Sequence, residues 1–359
     1  MPNVSSAHLA LCSARRRRDG SCKAPCGIQL KGNAGYLMTS TPINTDMASC
    51  TSQDIEQREA PRISLVIPTL DAEDCIESLL CKLLSQTRLP DEIVVVDSSS
   101  TDRTADIVRN LSQANPCIEL KVIDRKDFDH GGTRDDAFRK WTTGDFVLFM
   151  TQDAIPADAE YVERLLEPFK DSRIAVVSGR QLPKSDARPF ERLVRQFNYP
   201  EISFTRGKED IKTYGIKTFY TTDVCSAYRR TAFLECGGFP HPCNMSEDMY
   251  MAAKLVAAGY LVAYAADARV YHSHNLLPSQ QYSRNYAIGV FLEKNKDILM
   301  GASEVGEGAK LVKSVSSELV RSRQFGELFA FGLDCAARLL GNRAGRHDAR
   351  KERGERAIG

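Results

Sequence analysis

Two histidines one residue apart, His272 and His274, close the apolar run "LVAYAADARVYHSH"; Asp153 follows the very apolar "FVLFM"; and the acidic pair Glu247 and Asp248 opens the amphipathic stretch "SEDMYMAAKLVAAG". These residue types hold cations and move protons. A carboxylate just beyond a buried strand costs several kcal/mol to desolvate unless a cation or water meets it, so Asp153 calls for a partner. Magnesium or manganese suits it: both take oxygen ligands and leave positions for a phosphate, and manganese also accepts imidazole. Side chains of an alternating strand point to opposite faces, so a single ion takes one of His272 and His274 more easily than both.

The elements that must position these groups begin at Arg62. "ISLVIPTL", "IVVVD", "IELKVID", "DFVLFM" and "RIAVVSG" read as strands, followed by "TFYTTDVCSAYRR" and "LVAYAADARVYHSH". Helices lie between them, one with Cys75, Ile76, Leu79, Leu80, Leu83 and Leu84 at helical spacing, one opened by "SSSTD", one over "GTRDDAFRKW" and one from "SEDM". Alternation of this kind predicts an α/β fold with a largely parallel sheet covered on both faces. In such a sheet the ligand sits beyond the carboxyl ends of the strands, which places Pro68 and Thr69, Asp97, the segment 124–134 and the triplet 151–153 at the site. Asp97, followed by small hydroxyl residues, can accept hydrogen bonds from a base or ribose, or cap the next turn. No GxGxxG follows the first strand and no GxxxxGK[ST] occurs, so neither dinucleotide nor P-loop recognition is supported.

The 359 residues carry a formal charge of +1, which gives no reason to expect nucleic acid as the main ligand. No stretch approaches the roughly 20 uncharged apolar residues of a spanning helix and the beginning lacks an apolar leader block, so the chain is expected inside the cell. Its 11 cysteines are scattered without a paired CxxC pattern, and reduced thiols are expected. Residues 1–60 show neither helical nor strand periodicity and read as a disordered tail, with Arg15 to Arg18 a solvated charge run and Met38 or Met47 as expected later starts.

Taken in order, "SLVIPTLDAEDCIESLLCKLLSQT", "EIVVVDSSSTDRT", "DFDHGGTRDDAF", "FMTQDAIP", "SEDMYMAAKLVAAGY" and "VYHSHN" resemble the inverting family 2 glycosyltransferases, and most of all their rhamnosyltransferase branch; "GRQLP", "FNYP" and "LLGNRAGR" are similar to that branch as well. The resemblance runs from about Ile63 to Leu299. It implies a GT-A-type nucleotide-sugar transferase domain over 61–300, a helical segment over 301–359, and dTDP-L-rhamnose as donor to a saccharide or lipid-linked saccharide acceptor. Carried onto this chain, it implies that Pro68 and Thr69 line the nucleotide pocket, that Asp97 and Ser99 contact base or ribose, and that Gln152 belongs to the donor site. Arg134 would face the diphosphate, with Thr133 adding a hydroxyl at a helix start and His130, Gly131 and Gly132 shaping the loop; a guanidinium can take two phosphate oxygens at once.

The family's usual metal motif is Asp-x-Asp, and the triplet here is Thr151-Gln152-Asp153. A magnesium or manganese ion would therefore rest on Asp153, the donor's diphosphate and one histidine, His274 before His272, the other being structural. Asp248 is the implied catalytic base, accepting the proton of the acceptor hydroxyl as that oxygen attacks the anomeric carbon opposite the departing diphosphate, and Glu247 orients acceptor or base. Two alternatives remain open: a related transferase using another nucleotide sugar such as a UDP-hexose, and a nucleotide-sugar-binding protein that has lost turnover, the latter prompted by Thr151.

Near the end, "FGELFAFGLDCAARLLG" puts Leu328, Phe329, Phe331, Ala336, Leu339 and Leu340 on a broad apolar face before an arginine-rich tail. Such a helix either packs on the main domain or lies at the inner face of a membrane, where anionic lipids attract arginine.

Overall fold

The computed structural model describes residues 60–302 and 306–358, so the tail expected at 1–60, up to residue 59, lies outside the described residues. In chain order the elements are β1 (Ile63–Thr69), α1 (Ile76–Leu84), β2 (Glu92–Asp97), α2 (Thr104–Ala114), β3 (Ile118–Val122), α3 (His130–Asp136), β4 (Phe146–Met150), β5 (Ile155–Pro156), α4 (Tyr161–Leu166) and β6 (Ile174–Leu182). There follow α5 (Pro189–Asn198), β7 (Phe204–Arg206), α6 (Ile211–Tyr214), β8 (Cys225–Arg229), α7 (Arg230–Glu235), α8 (Glu247–Ala257), β9 (Leu261–Tyr271), α9 (Pro278–Lys294), α10 (Glu307–Arg321) and α11 (Phe325–Ile358).

Nine strands form one sheet in the order β3-β2-β1-β4-β8-β6-β9-β5, with β7 pairing β9. β1, β2, β3, β4, β6 and β9 run one way, while β5, β7 and β8 oppose them. The sheet is mostly parallel, as the alternating pattern predicts. Its central strands β1, β2 and β4 are buried on both faces, which is why they read as unbroken apolar runs. On one face Leu65 and Ile67 of β1 pack with Leu79, Leu80 and Leu83 of α1; on the other Val66 joins Phe138, Phe149, Phe233 and Met251.

Three departures from the expected elements bear on the site. The stretch "TFYTTDVCSAYRR" is a strand only from Cys225, because Gly215–Phe219 coils as a 3-10 turn and Cys225 N closes a turn on Thr222 O. β9 ends at Tyr271, so His272 and His274 lie beyond the pleat. The arginine-rich end continues α11 to Ile358 and is tied to α9 by Tyr286–Asp348 at 2.9 Å and Lys294–Glu352 at 2.9 Å. Gly341 and Gly345 let the two backbones touch: a Cβ would come within 2.3 Å of Tyr282 O or 2.0 Å of Tyr286 O. The expected apolar face of α11 divides accordingly, Phe331 packing with Phe190, Val194, Val315 and Leu319 while Phe329 stays 71% and Leu340 58% exposed.

Candidate active site

Parallel pairing sets Thr69 beside Asp97 at the ends of β1 and β2. Thr69 Oγ1 donates to Asp97 Oδ1 at 3.3 Å, and Ser100 N donates to Asp97 Oδ2 at 3.0 Å. Pro68 and Thr69 are buried there, with Asp97 1% exposed. Ser99 adopts a left-handed φ of 56° and donates its hydroxyl to Ile123 O at 2.8 Å, fastening β2 to the segment after β3. Gln152 pairs with the Leu70 main chain in both directions, accepting from N at 2.8 Å and donating to O at 3.1 Å. The sequence-based expectation puts both side chains on the donor; in the folded chain each also has a main-chain partner, as buried peptide groups require.

Asp129 caps α3, accepting Gly132 N at 2.6 Å, and also takes Cys243 N at 2.7 Å. Thr133 Oγ1 accepts Asp129 N at 3.1 Å, so its hydroxyl completes the cap. A Cβ on Gly131 would lie 2.1 Å from Pro240 O, and one on Gly132 would lie 2.2 Å from His241 Nδ1. The two glycines therefore let the segment 240–243 lie directly on the start of α3. Together these parts wall a cleft of about 1130 Å³ lined by Ser98, Ile123, Phe128, Asp129, Thr133, His241 and Asn244, among others.

That docked segment leads into α8. Ser246, its cap, holds a left-handed φ of 66°, a conformation costing roughly 1–2 kcal/mol in a non-glycine residue. Glu247 is 6% exposed and its carboxylate lies 3.3 Å from Arg134 Nη1, which also donates to His130 O at 3.1 Å. Arg134 is itself 4% exposed, with Nε 4.0 Å from Asp223 Oδ2. Arg134, expected to face a diphosphate, is here buried among carboxylates. Asp248 beside it keeps part of its surface open. Burial, then the negative charges of Glu247 and Asp223, push its proton affinity well above the ordinary aspartate value, while Asp223 is raised to about 6 by burial and by Glu247. Burial lowers the proton affinity of His130.

Asp153 faces both histidines. His272 Nε2 is 3.5 Å from Oδ1, His274 Nε2 is 3.5 Å from Oδ2, and the two imidazole nitrogens are 3.0 Å apart. The expectation that strand alternation separates the rings fails because β9 has already ended at Tyr271. His272 Nδ1 lies 2.8 Å from Gln181 Oε1, an acceptor-only atom that fixes the proton on Nδ1 and turns the Nε2 lone pair to the cluster; Arg195 holds that same oxygen. Burial keeps both rings neutral, His274 titrating at about 4 and His272 well below its ordinary value. Burial opposes ionisation of Asp153, yet His272, His274 and Lys184 hold it below the usual carboxylate range. One ligand atom from each residue lies within 4.8 Å of the others. Two ligands at right angles on bonds of about 2.1 Å sit about 3 Å apart, so the donor set and its spacing fit a small divalent cation.

Residues 64–237 match the family described as Glycosyl transferase family 2. The chain is 40% identical over 287 residues, 80% of its length and 90% of the relative's, to the O-antigen chain rhamnosyltransferase RfbN of Salmonella typhimurium. The chain belongs to glycosyl transferase family 2. This glycosyltransferase is also 38% identical over 289 residues to the O-antigen chain rhamnosyltransferase WbaN of Salmonella anatum, covering 80% of this chain and 90% of that one. In fold it is similar to a mannosyltransferase from Pyrobaculum calidifontis solved with GDP-Man and Mn2+, with a TM-score of 0.52 at 19% identity, covering 84% of this chain and 81% of that one. The architecture is GT-A-like, and the enzyme is an inverting glycosyltransferase, as its family is.

The glycosyltransferase site contains residues that sequence reasoning misses. Asp223 accepts Ser226 Oγ at 2.7 Å and Tyr228 OH at 2.9 Å from within β8, and Lys184 Nζ lies 3.1 Å from Asp153 Oδ2. Gln181 and Asp129 orient groups that were legible. The available signal was "GRQLPK", next to a strand end, and the acid just ahead of "VCSAYRR".

Proposed function

We propose that this enzyme transfers L-rhamnose from dTDP-L-rhamnose to a hydroxyl of a saccharide or lipid-linked saccharide acceptor in O-antigen-type polysaccharide assembly. The observation that carries this reading is the identity of 40% and 38% with two proteins named O-antigen chain rhamnosyltransferases, each match spanning 80% of the chain. Thr69 and Asp97 form the nucleoside end of the site, and the Asp153, His272 and His274 cluster forms its diphosphate end. Magnesium or manganese held by that cluster would neutralise charge growing on the leaving diphosphate.

The residues themselves supply the proton chemistry. Asp248 takes the acceptor hydroxyl's proton as its oxygen attacks the anomeric carbon; a carboxylate of raised proton affinity is a stronger base for this than an exposed one. Glu247, paired with Arg134, fixes the first turn of α8 and so the aim of Asp248. Inversion follows from a single displacement, in which stabilising the departing diphosphate lowers the barrier more than it tightens binding.

Among the described residues no helix is long and apolar enough to cross a membrane. We place the enzyme at the inner membrane face through the exposed side of α11, which would bring a lipid-linked acceptor to the cleft. Purified protein incubated with dTDP-L-rhamnose, UDP-glucose and GDP-mannose, with Mn2+ or Mg2+, tests the donor. Release of dTDP should exceed the other diphosphates at least tenfold; equal or faster use of UDP-glucose would sink the rhamnose assignment.

A further inference from the structure

Lys184 stands two residues beyond β6, and its position is set from both sides. Its backbone N donates to Ser273 Oγ at 3.0 Å, between the two histidines, and its Nζ lies 3.1 Å from Asp153 Oδ2. That oxygen is the one His274 Nε2 faces at 3.5 Å. The lysine side chain is 29% exposed, against 9% for Asp153.

The pair has an electrostatic consequence. Of the three residues of the cluster, Asp153, His272 and His274, Asp153 alone is a carboxylate. Its charge and that of Lys184 cancel, and a dication arriving alone meets a cation already on its anionic ligand. Like charges a few ångströms apart repel, and more strongly in a half-buried site than in water. A sugar diphosphate changes the balance, because its oxygens add ligands for the ion and offer the ammonium a second anion.

We propose that Lys184 is a counter-cation that competes with a free divalent ion for Asp153 and passes to the donor diphosphate when ion and donor bind together, so that the two enter cooperatively. This rests on the metal reading of the Asp153, His272 and His274 cluster.

The test is Mn2+ binding to the full-length protein, followed by calorimetry and by the spin-resonance signal of free Mn2+, with and without dTDP. Lys184→Met should bind Mn2+ alone about tenfold more tightly than wild type, the order expected for removing one partly exposed charge, and dTDP should tighten Mn2+ less than it does in wild type. Lys184→Gln, which keeps a donor without the charge, should match Lys184→Met, and Lys184→Arg should stay near wild type; unchanged thermal melting shows that the variants fold. Mn2+ affinity in Lys184→Met and Lys184→Gln equal to or weaker than wild type would overturn the inference while leaving the metal site standing. Absence of any Mn2+ binding that Asp153→Ala removes, with or without dTDP, would overturn the metal reading and this inference together.

Discussion

Asp223 Oδ2 and Arg134 Nε face each other across 4.0 Å inside the protein, both residues more than nine-tenths buried and neither atom hydrogen-bonded elsewhere. Arg134 is thus shared between Asp223 and Glu247, and one guanidinium serves three carboxylates once Asp248 is counted. The cluster is short of positive charge. That shortage raises the proton affinity of the proposed base.

Replacing Asp223 by Asn isolates this effect, since Ser226 and Tyr228 both donate to Oδ1 and an amide oxygen can keep both bonds. As the proposed base, Asp248 works only when ionised, so transfer should fall as pH drops through its raised value. Burial, Glu247 and Asp223 raise that value, Arg134 opposes them, and Tyr228 and Cys243 also lie within the cluster's field. Removing the Asp223 charge should therefore move the acidic limb of the pH–rate profile down by about one unit. The difference should fade below about 6, where Asp223 in the wild type is itself protonated. An unmoved limb would show that Asp223 does not set the proton affinity of Asp248.

Why Asp223 escapes a sequence reading is a matter of strand direction. Inspecting the carboxyl ends of strands finds Thr69, Asp97 and Asp153, because β1, β2 and β4 run parallel. β8 runs antiparallel to β4, with Met150 opposite Cys225, so it delivers its amino end to the same edge. Apolar alternation announces a strand and not its direction. The histidine pair was legible for the opposite reason, in that its residue types were plain and only the last residue of β9 was misplaced. Lys184 and Gln181 carry no such type signal; the parallel register that sets Leu182 beside Tyr271 makes them neighbours of His272.

Asp248→Asn tests the base directly. The amide keeps the size of the side chain and removes proton acceptance, so transfer should fall by at least about 1000-fold, within the range general-base loss gives. Binding of dTDP, measured by calorimetry, should stay within about twofold, because the thymidine and diphosphate ends of the proposed site lie elsewhere. Transfer near the wild-type rate would remove Asp248 from this role.

Asp153→Ala should abolish the difference between dTDP binding with and without Mn2+, lowering affinity in Mn2+ by about tenfold or more, since losing even an outer-shell partner of a metal ligand costs about 10–100-fold. His272 and His274 remain in this variant, neutral but without an anionic companion. Identical titrations of variant and wild type in Mn2+ would count against the cluster as a metal site.

Gly131→Ala probes how the base is aimed. Its Cβ would come within 2.1 Å of Pro240 O and 2.9 Å of Cys243 Cβ, so the segment feeding α8 must shift. Overpacking of this kind costs about 1–3 kcal/mol, which thermal melting would register. Activity should fall further than stability predicts, about 100-fold, because displacement of about 1 Å at a reacting group has that effect. A variant with lowered melting and full turnover would mean that the 240–243 contact is scaffold and no more.

Membrane contact is best tested without removing α11, whose Phe331 packs with α5 and α10 and whose Gly341 and Gly345 lie against α9, so truncation would disturb the fold. Its outer side offers a cleaner probe. Phe325, Phe329, Leu333 and Leu340 are 63%, 71%, 46% and 58% exposed, and their spacing of four, four and seven residues sets them along one stripe of the helix. Burying such side chains in a lipid interface favours attachment by about 1–2 kcal/mol each, and nearby arginines add attraction to anionic headgroups. Phe329→Ser combined with Leu340→Ser should therefore cut flotation with anionic liposomes by about tenfold while melting and dTDP binding stay unchanged. Should wild type and double variant float alike, or neither float, the exposed stripe does not bind lipid and the acceptor must reach the cleft by another route.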